Sequence, residues 1–186
     1  MSGHASTPRL WTIGHGARAG ETLIALLQAH AIRCLIDVRR VPHSRRHPHF
    51  GRERLGASLQ AAGIEYRHLP GLGGMREPDG SDTNAGLGVA AFRGYADYMQ
   101  TAEFEAEVAT LLALASERPA AIMCAEAAPE QCHRSLIADA LTARGIAVEH
   151  IVGEGETARH ALRREARVVD ARVTYPAAQI GLWTNP

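Results

Sequence analysis

Short apolar runs of strand length alternate with stretches of helical period along most of this chain. Residues 10–14, 34–39, 64–69, 120–124 and 147–152 read as strands, and residues 21–31, 51–62, 89–100, 101–116 and 130–144 carry apolar side chains at helical spacing. Parallel strands need long crossovers, which these helices supply, whereas antiparallel hairpins need only a few residues. The order therefore predicts a single three-layer α/β domain, with a mostly parallel sheet and helices on both faces. At 186 residues and 46% hydrophobic content, the chain is long enough for one good core. Gly63 and Gly145 are natural helix stops, and Thr101 is a natural N-cap with glutamates in the turn that follows. The domain is expected over residues 10–153, after a flexible N-terminus (1–9) and before a C-terminal helix and extended tail (154–186). Residues 70–88 hold six glycines and read as a long loop.

Several function classes are excluded early. No apolar run approaches the roughly 20 residues that span a bilayer, and residues 1–9 lack the apolar centre of a secretory signal. A cytoplasmic protein with no membrane partner is expected. Cys34, Cys124 and Cys132 are too few and too unevenly spread for a disulfide framework. Net charge is zero, yet residues 37–54 carry six arginines against two acids, with His43, His47 and His49 interleaved. Such a segment attracts anions or forms a solvated basic loop.

Chemistry concentrates in M-C-A-E-A-A-P-E-Q-C-H-R, residues 123–134, which joins a strand's carboxyl end to a helix start. In open parallel sheets ligands bind at that edge, and unpaired helix N–H groups favour an anion or thiolate there. Cys124 is the candidate nucleophile, its thiolate expected to be stabilised by the helix start, His133 and Arg134. Glu126 and His133 form an alternative acid/base pair, and His15, at the end of the first strand, is a further acid/base candidate. Asp37 is a catalytic candidate beside the ligand-binding set Arg39, Ser44 and Arg45, where an arginine fork and a hydroxyl suit a phosphate or carboxylate. An ion pair between Asp37 and Arg39 that merely fixes the loop is the competing reading. Gly73 and Gly74 allow close backbone approach to a ligand, and Tyr95 or Tyr98 offers a hydroxyl or stacking face, although helical spacing suits both to the core. Arg134 completes the anion set. No cofactor and no metal are assigned. A divalent metal at Cys124, Cys132 and His133 is an alternative, opposed by the absence of C-x-x-C spacing and by the divergence of adjacent helical side chains.

Five motifs in order carry a family resemblance: T-I-G-H (12–15), D-V-R-R-V-P-H-S-R (37–45), L-G-G (72–74), F-R-G-Y-A-D-Y-M (92–99) and the 123–134 block. Over residues 10–152 the chain resembles the bacterial and archaeal family known as domain of unknown function 488. Gly16 and Ala17 stand where that family commonly has serine and asparagine. The resemblance brings no activity with it. A second likeness, to rhodanese-like and cysteine-phosphatase sites, is remote, since nine residues separate Cys124 from Arg134. The function expected is a small enzyme whose anion-binding, thiol-containing cleft handles a nucleotide or other phosphate- or sulfur-bearing substrate. The alternatives are a nucleic-acid-binding module built on loop 39–54 and a metal-binding protein. The sequence sets no oligomeric state.

Overall fold

Along the strand Ala120–Cys124 every residue is buried, and its side chains alternate between two separate apolar clusters. Ala120, Ile122 and Cys124 enter one, Ala121 and Met123 the other, as the two-residue period of a strand dictates. A strand buried this way must be central. In the computed structural model, which describes residues 9–43 and 45–178, the sheet order is β3-β2-β4-β1-β5-β6. The strands are β1 (Arg9–Gly14), β2 (Cys34–Asp37), β3 (Glu65–His68), β4 (Ala120–Cys124), β5 (Ala147–Gly153) and β6 (Glu156–Arg159). The first five are parallel, and β6 returns antiparallel along β5. The expected three-layer α/β architecture is observed. Helices α1 (Gly20–Ala29) and α2 (Arg52–Ala61) cover one face through Leu23, Leu27, Leu55 and Leu59. On the other face lie α3 (Ala90–Tyr98), α4 (Ala102–Glu117) and α5 (Arg134–Ala143), through Tyr95, Phe104, Leu111 and Leu136. No helix among the described residues is long and apolar enough to cross a membrane.

Local chemistry explains the boundaries. Thr101 Oγ1 accepts the Phe104 N–H at 3.2 Å and opens α4. Gly63 and Gly145 take φ of +73° and +79° just beyond α2 and α5. One expected boundary is wrong. The helix predicted from residue 130 begins at Arg134, because Pro129–Gln131 forms a tight 3-10 turn and Cys132 is extended, with φ −129° and ψ 142°.

The C-terminal segment corrects a second expectation. Instead of a basic helix, residues beyond Gly153 turn through Gly155, at φ +65°, into β6, then form the hairpin β7 (Arg167–Val169) and β8 (Arg172–Thr174). The segment is docked, not loose. Tyr175 is fully buried, its hydroxyl donating to Asp139 Oδ2 at 2.7 Å and its N–H to Asn84 Oδ1 at 2.9 Å. Residues 1–8 and 179–186 lie outside the described residues. The remote rhodanese likeness is not confirmed.

A buried polar chain joins this segment to the sheet. Asp139 is acceptor-only when ionised, so the N–H at His160 Nε2, 2.8 Å from its Oδ1, donates to it. His160 Nδ1 then accepts from His150 Nε2 at 3.0 Å, and His150 Nδ1 accepts the Thr12 hydroxyl at 2.7 Å. His150 is thus held neutral, its pKa lowered to about 4 by burial first and by His160 and Arg134 next. A histidine whose pKa is lower folded than unfolded stabilises the fold above its unfolded value, near 6.5, and that stability is lost as pH falls toward 4. Acidification from pH 7 to 4 is therefore expected to remove on the order of 3 kcal/mol through this group. Urea unfolding across that range should show a loss that His150→Asn reduces by about this amount, leaving the rest in place.

Candidate active site

The β1–β4 ladder continues past the strands. His15 N–H donates to the Cys124 carbonyl at 3.0 Å and Gly16 N–H to the Ala125 carbonyl at 2.8 Å, so the two chains leave the sheet zipped together. Gly14 permits this, since a side chain there would overlap the Glu126 carbonyl. Arg134, buried at the start of α5, clamps the same loop by donating to the carbonyls of Glu126 and Ala127 at 3.3 and 3.2 Å. The result is a cleft of about 720 Å³ at the carboxyl edge of the parallel strands.

His15, Arg39, Gly74, Cys124, Glu126 and His133 all line this cleft. Asp37 lies behind Arg39. It is fully buried, accepting from Arg39 Nε and Nη2 at 2.9 and 2.6 Å, from the Arg39 backbone at 3.0 Å and from the Tyr66 hydroxyl at 2.7 Å. Those contacts make it a positioning group for Arg39. Arg39 Nη2 also donates to the Phe50 carbonyl at 2.8 Å, and Nη1 lies 3.3 Å from His15 Nε2. An arginine has only donors, so His15 Nε2 accepts and its proton sits on Nδ1, donating to Gly16 O at 2.9 Å. His15 stacks on Phe50 and is held neutral, its pKa lowered to about 4 chiefly by burial.

Other expected residues sit elsewhere. Tyr95 and Tyr98 do not line the cleft; their hydroxyls donate to the carbonyls of Leu72 and Gly71, each at 2.8 Å, and hold the 70–76 loop. Gly73 packs against the Arg40 backbone, and Gly74 against the His133 ring, so both glycines allow close approach within the fold. Arg45 is exposed and outside the cleft lining, Arg134 lies beneath it, and Ser44 is outside the described residues. The sequence reading missed Arg40, Arg46 and the exposed apolar residues Val41 and Met75, which also line the cleft. Their membership in the basic loop and its glycine-rich neighbour was the only available signal.

Cys124 departs from its expected electrostatics. The N–H that starts α5, on Arg134, points at Cys132 Sγ at 3.5 Å, not at Cys124. Cys124 donates to Glu126 Oε2 at 3.1 Å, and the adjoining Cys132 thiol, then burial, push its pKa far up. Its resting form is the thiol, a correction to the stabilised thiolate. Glu126 is the counterpart: burial pushes its pKa up, yet hydrogen bonding from Cys124 and further neighbours leaves it below the usual carboxylate range.

The family model for the domain of unknown function DUF488 matches residues 19–141, more than half of the chain. The chain belongs to that family. Within the DUF488 match fall Arg39, Cys124, Glu126, Cys132 and His133, while His15 and the T-I-G-H motif precede it. Comparisons with curated proteins and with solved structures returned no match.

Proposed function

We propose that this DUF488 protein is a small enzyme whose cleft binds an organic anion and in which Glu126 moves a proton. The observation that carries the reading is a carboxylate, Glu126, set 3.1 Å from a thiol in a cleft that Arg40 and Arg46 also line. Asp37 neutralises Arg39, and no carboxylate pairs with Arg40 or Arg46 among the described residues, so these two supply the attraction for an anion. Val41 and Met75, 70% and 82% exposed, offer apolar surface beside them for the organic part of a ligand. A nucleotide, or another phosphate- or sulfur-bearing metabolite, combines those features.

Magnitudes favour Glu126 over Cys124 as the reacting group at rest. Moving the thiol proton onto a carboxylate crosses at least the roughly four units between their ordinary values, about 6 kcal/mol uphill, before the shifts at this site widen the gap. As a base toward a water or substrate proton, Glu126 is already in the required state. Titrating wild type with inorganic phosphate and a nucleoside monophosphate should show binding that Arg40→Ala and Arg46→Ala each weaken by roughly 10- to 150-fold, as expected for a charge-assisted hydrogen bond worth about 1.5–3 kcal/mol. Glu126→Gln should leave that binding within a few-fold and lower turnover of any accepted substrate by roughly 10²–10⁴. A nucleic-acid grip would instead weaken steeply with salt and show no dependence on Glu126. Unchanged affinity in both arginine variants would defeat the reading.

A further inference from the structure

We propose that Cys124 Sγ, Cys132 Sγ and His133 Nδ1 form a three-donor site for a zinc-class divalent cation at the floor of the cleft. Were Cys132 and His133 both helical, their side chains would diverge by about 100°. Cys132 is instead extended between the 3-10 turn and α5, and its thiol and the His133 ring converge on the same point. Cys124 reaches that point from the end of β4.

The distances match coordination. His133 Nδ1 lies 3.8 Å from Cys124 Sγ and 3.7 Å from Cys132 Sγ, and all three donors fall within 4.8 Å of one another. A tetrahedral zinc with bonds of about 2.3 Å to sulfur and about 2.0 Å to nitrogen has donor–donor edges of about 3.5–3.8 Å. Little movement is needed to close such a site. Two thiols, which release their protons to solvent as they bind the ion, and a neutral imidazole select a soft or borderline ion such as zinc, and exclude magnesium and calcium, which take oxygen. The other ring nitrogen, His133 Nε2, is shielded and has no hydrogen-bond partner among the described residues, so no hydrogen bond there draws the ring away from the thiols. All three residues line the cleft, and three protein donors with a fourth position open to it is the pattern of catalytic zinc, whereas structural zinc is closed by four. Glu126 borders the cluster through Cys124. The site's role in turnover rests on the enzyme reading above; its existence does not.

The test uses the full chain, reduced and stripped with a chelator, then titrated with cobalt(II) and with zinc(II). Expected are one cobalt per chain, sulfur-to-cobalt charge-transfer absorption with the visible bands of tetrahedral cobalt, and displacement by zinc. Cys132→Ser and His133→Ala should each weaken binding by at least about 100-fold, beyond the 10–100-fold typical of outer-shell partners. Arg46→Ala should leave the metal unchanged. Absence of the sulfur–cobalt band in wild type overturns the site without recourse to any variant, as does a band of wild-type intensity and cobalt affinity in folded Cys132→Ser. Phosphate binding by wild type, and its weakening in Arg46→Ala, is read in the same metal-stripped protein. A failure of the metal site with anion binding intact is thereby separated from a failure of the cleft reading.

Discussion

Asp37→Ala is expected to lower the stability of the fold by about 3–5 kcal/mol, the cost of breaking a buried ion pair and stranding one partner. Asp37 is 0% and Arg39 7% exposed, and four donors converge on the carboxylate from Arg39, its backbone and Tyr66. Removing it leaves a guanidinium with little water and, among the described residues, only the Phe50 carbonyl and His15 as partners. Because Arg39 spans β2, the 48–50 turn and His15, the lesion should also disorder the cleft wall. Tyr66→Phe removes one hydrogen bond and should cost about 1 kcal/mol. Urea denaturation of the pair checks both; a loss below 1 kcal/mol for Asp37→Ala would mean that Arg39 is better solvated than the structure shows.

Gly14→Ala should cost about 3 kcal/mol, the upper end of the usual range for overpacking. Its Cβ would overlap the Glu126 carbonyl and lie 2.8 Å from the Ala127 Cα, and backbone atoms cannot rotate away as a side-chain tip can. Arg134 holds the Glu126 and Ala127 carbonyls, so displacing the loop disturbs that clamp. Glu126 would be displaced, and phosphate binding should weaken with it. Gly63 supplies the contrast: nothing lies within 4 Å of a Cβ there, so Gly63→Ala meets only the left-handed backbone penalty, about 1–2 kcal/mol, and should leave the cleft untouched. Thermal melts and phosphate titrations of the two variants distinguish local strain from damage to the site.

The central elements were readable because their patterns are local. The buried run at 120–124, the periodic leucines of α1 and the glycine stops after α2 and α5 each signal their structure within a few residues. β6 was hidden because Thr157 and Arg159 sit on an exposed edge strand with no alternation to read, although Gly153 and Gly155 flank a hairpin turn. The convergence of Cys132 and His133 was hidden for a related reason. It depends on one extended residue after a 3-10 turn, and a helix assumed from residue 130 forbids it. Long-range partners left no sequence trace. Tyr66 meets Asp37 across 29 residues, and Tyr175 meets Asp139 across 36, so D-V-R offered the Asp37–Arg39 ion pair as the competing reading but not its third partner, Tyr66. Tyr95 and Tyr98 followed their helical spacing into the packed face, and their hydroxyls went to a loop that the sequence shows only as glycine-rich.

The central claim, that the cleft receives an anion beside Glu126, is tested most directly by a crystal of the protein soaked in tungstate, a heavy analogue of phosphate visible by anomalous scattering. Expected is a peak in the cleft within hydrogen-bond reach of Arg40 or Arg46, on the side facing Cys124 and Glu126, that weakens in crystals of Arg46→Ala soaked at the same limiting tungstate concentration. Peaks confined to the outer arginines Arg45, Arg52 and Arg54, with the cleft empty at saturating tungstate, would contradict it.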